Sequence, residues 1–160
     1  MDAKEAIRSG LKFTQSVLGM YLADLSDADL LVRPVPQANH IAWQLGHLIG
    51  SEASLAKHVP NASYPPLPAG WAEQHGKETA AVDPPTGFKS KEEYLSLFNR
   101  VREATLAALD KIAVSDLDKP TGWNVAPTVG ALFNLNAHHV LMHAGQFTVV
   151  RRKLGKPVIM

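Results

Sequence analysis

Ile7, Leu11, Thr14, Leu18, Tyr21 and Leu25 recur at alternating steps of four and three, the stripe that an amphipathic helix turns toward a core. The pattern predicts a first helix over residues 3 to 24. Ser26, followed by Asp27 and Asp29, reads as the cap of a short helical turn that Pro34 and Pro36 then stop. A second periodic run, through Ile41, Leu45, Leu48, Leu55 and Val59, starts after Asn39 as its expected N-cap and ends at Pro60.

From Pro60 to Gly87 no period is sustained, and the stretch holds six prolines and three glycines, with Trp71 and His75 in its middle. It reads as a long loop. Loops of such length in a compact domain usually cover or shape a binding site, with a plain crossover as the alternative. Ser90 and Glu93 make a capping box, and Tyr94, Phe98, Val101, Thr105, Ala108 and Ile112 form the inward stripe of a third helix that ends near Ala113. After turns at Pro120, Gly122 and Pro127, the segment from Thr128 to Leu154 has no internal proline and is closed by Gly155 and Pro157. It is the fourth and longest helix. Strand-like alternation is weak and no internal repeat is present, so the expected fold is all-α: a four-helix bundle with a long crossover between helices two and three, forming one domain over residues 1–160.

Composition narrows the function. With 46% hydrophobic residues in 160, the chain can bury a continuous core. A formal charge of +1 supplies no field to attract nucleic acid or an anionic membrane. No apolar run approaches the roughly 20 residues needed to span a bilayer, and the first residues lack a signal peptide's apolar segment, so a cytoplasmic location is expected. The absence of cysteine rules out thiolate ligands and a protein thiol nucleophile, leaving His, Asp and Glu for any metal chemistry.

His139 and His143 lie four apart on the last helix, one turn above the other on one face, where their imidazoles can converge on one ion. His138 is about 140° round the helix from His143 and does not join them. Such a pair carries little weight by itself, because seven histidines in 160 residues give roughly 0.3 four-apart pairs by chance. A transition metal also needs a third ligand from another element. Helix two carries His40, Gln44, His47, Ser51, Ser54 and His58 along one polar stripe, either a solvated face or the lining of a cleft. His40 and His47 are about 10 Å apart along the axis, so only one of them can share the ion, and periodicity does not choose between them. Glu52 sits on the apolar stripe between Leu48 and Leu55, where an unpaired carboxylate is costly; it is a candidate general base or one partner of a structural ion pair.

Two segments, Asn39-His40-Ile41-Ala42-Trp43-Gln44-Leu45-Gly46-His47-Leu48 and His139-Val140-Leu141-Met142-His143-Ala144-Gly145-Gln146, resemble the DinB-like proteins. The resemblance spans essentially the whole chain and implies a four-helix bundle whose second and third helices are joined by a long crossover. It also implies a divalent metal held by His47, His139 and His143, and it is this that selects His47 over His40. Ala144 stands where many relatives have arginine, which leaves the ligands intact but removes any substrate contact that arginine would make. Some relatives are bacillithiol- or mycothiol-dependent S-transferases, or isomerases using a low-molecular-weight thiol, and many have no known activity, so membership does not fix a reaction.

Three neutral nitrogen ligands leave an open position on the ion, the arrangement of catalytic zinc sites. Zinc or nickel is the expected metal. Such an ion activates water or a thiol, and a low-molecular-weight thiol cosubstrate would supply the nucleophile that a cysteine-free chain lacks. The expected activity is therefore a metal-dependent transferase or hydrolase acting on a small molecule. Asn136 and Gln146, each three residues from a ligand on the same face, are candidates to orient ligands or substrate. The alternatives are a non-catalytic protein binding a metal or small molecule, and a metal-free trio of hydrogen-bonded histidines. Phe13, Met20 and Trp43 are large apolar side chains available for self-association into a homodimer.

Overall fold

Four long helices and one short helical turn account for most of the chain in the computed structural model, which describes residues 2–59 and 62–159. In chain order α1 spans Ala3–Leu22, α2 Ile41–Ala53, α3 Trp71–Gln74, α4 Lys91–Lys111 and α5 Val129–Lys153. Among the described residues there is no strand, only an isolated bridge between Pro120 and Thr128. Among the described residues no helix is long and apolar enough to cross a membrane.

Local chemistry sets the helix starts. The Asp2 carboxylate accepts from the Glu5 amide, and the Thr128 hydroxyl accepts from the Ala131 amide. Ser90 and Glu93 satisfy each other's backbone amides, completing the capping box at α4. α2 departs from expectation: its cap is His40, not Asn39, and the His40 Nδ1 accepts from the Trp43 amide at 3.1 Å. The Asn39 carbonyl is used instead by the side chain of Gln44. α2 also stops at Ala53 and continues as a 3₁₀ turn over Ser54–Lys57, where the Ser54 hydroxyl takes the Ser51 carbonyl at 2.6 Å. The apolar period runs on through this change of winding, because Leu55 and Val59 both remain buried. α1 likewise ends at Leu22, two residues before the predicted 24.

α1 packs along α5 and α4, and α2 packs along α4 and α5. Leu11, Leu18, Leu45, Ile49, Phe98, Val101, Phe133 and Phe147 fill the space between them, and each such side chain contributes roughly 1.5–3 kcal/mol by burial. Two arginines pin the helices internally. Arg102 of α4 donates Nε and Nη2 to the two oxygens of Glu52 on α2, at 2.7 and 2.8 Å, and Nη1 to the Leu11 carbonyl and the Thr14 hydroxyl of α1. Arg151 of α5 donates to the Tyr21 carbonyl, the Asp24 carboxylate and the Pro157 carbonyl, fastening the C-terminal end of α1 to the segment that follows α5.

The crossover is more ordered than a featureless loop. α3 and a 3₁₀ turn over Lys77–Thr79 fold it back onto α2, where Trp71 is buried and donates Nε1 to the Gly46 carbonyl at 3.0 Å. Trp43, expected as a surface for self-association, is buried under this segment and donates its indole to the Gly76 carbonyl. Phe13 and Met20 are exposed on α1.

Candidate metal centre

Because α2 lies against α5, the polar stripe of α2 meets the His139/His143 face. The rings of His47 and His139 are 5.0 Å apart between centroids, those of His47 and His143 5.5 Å, and those of His139 and His143 4.8 Å. One nitrogen from each of the three lies within 4.8 Å of the others. The Nε2 atoms of His139 and His143 are 3.1 Å apart. A tetrahedral ion with bonds of about 2.0–2.1 Å sets neighbouring ligand nitrogens about 3.3 Å apart, so this pair already has the spacing of two ligands.

Neighbouring side chains aim the rings. The His143 Nδ1 is 2.7 Å from Gln44 Oε1. Gln44 in turn donates its amide nitrogen to the Asn39 carbonyl at 2.9 Å, which turns its oxygen toward the ring. Nδ1 of His143 must therefore carry the proton and donate it, leaving the Nε2 lone pair directed at the other histidines, the tautomer a metal requires. The His47 ring lies flat against the buried indole of Trp43, at 5.1 Å between centroids and 7° between planes.

Burial favours the neutral form of all three imidazoles. Burial, with smaller contributions from His139 and His47, pushes His143 down to about 3, and burial with His47 pushes His139 down to about 4. Burial lowers His47 as well. Convergent, neutral, oriented nitrogens fit a divalent transition metal.

The remaining histidines are engaged elsewhere or face solvent. His40 is fully buried as the α2 cap. His75 of the crossover is also buried: its Nδ1 donates to the Trp71 carbonyl at 2.9 Å, and its Nε2 faces the Tyr94 hydroxyl at 2.9 Å. Its ring fills the space beside Gly46, where a Cβ would fall 1.9 Å from His75 Cδ2, so only glycine fits at that point of α2. His58 and His138 are exposed.

Other anticipated residues take different positions. Glu52 does not act on this site: both of its oxygens are occupied by Arg102, with the Thr105 hydroxyl donating to one of them at 2.7 Å, which corrects the general-base reading in favour of the ion pair. Asn136 is buried and donates to the Leu132 carbonyl one turn back, while Gln146 is exposed. Gln44, one polar position in the stripe of α2 by sequence, is the residue that orients His143. Its signal was its place three residues before His47 on the same stripe.

Two clefts border members of the trio, one at His139 and the other at His47. One, of about 250 Å³, is lined by His139, Asn136 and Ser51 together with residues from the 121–127 turn. The other, of about 360 Å³, lies between α2 and the crossover and is lined by His47, Trp71 and His75. Ser51 and Ser54 line both.

A family model described as the DinB superfamily matches residues 11–147. The chain belongs to the DinB superfamily. The helical architecture of this DinB member is shared with the crystal structure of a conserved protein from Enterococcus faecalis, which aligns with a TM-score of 0.70 over 98% of this chain and 99% of that one. The two are 19% identical, a likeness of fold. No curated protein matches the chain. The three histidines brought together here are the ones that the DinB resemblance selected.

Proposed function

We propose that this DinB-superfamily chain is a metal-dependent enzyme in which His47, His139 and His143 hold one divalent transition metal ion, zinc or nickel, beside a small-molecule cleft. The supporting observation is the convergence of three neutral imidazoles from two helices, with the His143 Nδ1 proton committed to Gln44. Bound there, such an ion lowers the pKa of a coordinated thiol or water and so supplies a nucleophile near neutral pH.

The chain's own residues do the rest. Gln44 keeps the His143 lone pair aimed, Trp43 holds the plane of His47, and the packing of α2 on α5 keeps water from surrounding the rings. A low-molecular-weight thiol is the preferred nucleophile source, since the chain has no cysteine, and S-transfer is the preferred reaction, with hydrolysis through water as the variant. Catalysis is favoured over sequestration because His47 and His139 are only half-buried and border clefts, giving substrate a path to the ion.

Elemental analysis of protein purified without a histidine tag tests the reading. One zinc or nickel per chain is expected, with loss of the ion in His143→Ala and His47→Ala and retention in His40→Gln. Metal bound equally by all variants, or by none, contradicts it.

A further inference from the structure

The cleft beside His139 combines a charge-free lining with large apolar side chains at an open rim. Trp123, Val125, Leu132 and Leu135 form its apolar side, with Ser51 and His58 among its polar residues. No lysine, arginine, aspartate or glutamate is among its described lining residues. Trp123 and Val125 are 44% and 66% exposed, large apolar side chains left open to solvent at its rim.

The turn that presents them is pre-organised. The Trp123 amide donates to the Thr121 hydroxyl at 3.1 Å, that hydroxyl donates to the Ala126 carbonyl, and the Ala126 amide returns to the Trp123 carbonyl at 3.1 Å. The Thr121 amide donates to the Pro127 carbonyl at 3.1 Å. A wall held this way loses little conformational freedom when a ligand docks.

Size and charge together define the occupant. About 250 Å³ exceeds the roughly 150 Å³ that accommodates benzene and falls short of the roughly 300–1,000 Å³ typical of drug-sized ligands. In the metal-free protein a charged group entering it would lose hydration without meeting a counter-charge from the lining side chains.

We infer that this cleft is the substrate subsite, and that it takes a small uncharged molecule with an aromatic or alkyl body packed on Trp123 and Val125 and a polar atom directed at His139. Its catalytic meaning rests on the metal reading above, whereas binding of the apolar body does not. Trp123 is the residue on which the body of the ligand packs, and the charge-free lining of the cleft selects neutral over charged ligands.

The test is a titration of metal-free and zinc-loaded protein with benzyl alcohol, benzylammonium and benzenesulfonate, followed through the Trp123 indole N–H resonance. In metal-free protein, benzyl alcohol is expected to shift that resonance and to bind at least tenfold more tightly than either charged probe. Trp123→Ala, monitored by the amide resonances of residues 132–136, should weaken benzyl alcohol at least tenfold, and Val125→Asp should do the same while keeping the indole as reporter. Both changes lie on an exposed turn, and an unaltered thermal midpoint establishes that the variants fold. No response at the indole, equal binding of the charged probes, or unchanged affinity in both variants overturns the inference. Metal content measured on the same samples separates the two claims: zinc retained without probe binding sinks the subsite alone, and probe binding without stoichiometric zinc supports the subsite while sinking the metal reading.

Discussion

Gln44 shows what a single side chain decides at this centre. A neutral imidazole can carry its proton on either nitrogen, and only one tautomer leaves Nε2 free to bind metal. The hydrogen bond from His143 to Gln44 selects it, and the bond from Gln44 to the Asn39 carbonyl selects the orientation of the glutamine itself. Gln44→Ala is therefore expected to weaken metal affinity about 10–100-fold, read by competition with a chelator, with helix content by circular dichroism unchanged. An unaltered affinity would show that the glutamine contributes only packing. The His139/His143 pair was legible from helical spacing, and His47 from the family resemblance. Gln44 was visible only as one polar position in a stripe, because which polar residue meets a ring depends on how α2 is rotated against α5.

At the scale of elements, α4 and α5 were the most readable, because a capping box, a capping threonine and a terminal Gly155 are local signals. The crossover was least readable. Its order comes from contacts made at a distance: Trp71 to Gly46, Trp43 to Gly76 and His75 to Tyr94. The same distance hid the partner of Glu52, since Arg102 is fifty residues away and no spacing rule links them. Gly46 is the point where crossover and α2 come closest, and it gives a direct test of their docking. Gly46→Ala should destabilise the protein by about 1–3 kcal/mol, despite alanine's better helix propensity, because the buried His75 ring has no room to yield. The double variant with His75→Ala should recover part of that loss in urea unfolding. A Gly46→Ala protein as stable as the wild type would mean that the crossover does not dock as described.

For the whole molecule, neutral buried histidines tie stability to pH. His40 is pushed down to about 4 by burial and by Arg33, and His139 and His143 to about 4 and about 3. In the unfolded chain each titrates near 6.5, so below that pH the unfolded state binds more protons than the folded one and stability falls with acidification. Metal-free protein is expected to lose about 2 kcal/mol or more between pH 6.5 and pH 5, above the range in which carboxylates protonate, as followed by urea midpoints in the presence of chelator. Constant stability across that interval would indicate that these rings are solvated and charged. Bound metal should raise stability by a nearly constant amount across this interval and leave the slope in place, because the folded rings are already deprotonated there and the proton uptake belongs to the unfolded chain.

X-ray absorption at the metal edge of the untagged, zinc-loaded protein addresses the metal centre without reference to any reaction. Three nitrogen scatterers at about 2.0–2.1 Å, with the multiple-scattering signature of imidazole and one lighter oxygen shell, are expected from His47, His139 and His143 with an open position. A shell built from oxygen alone, or one showing a single imidazole, would contradict a centre formed where α2 meets α5.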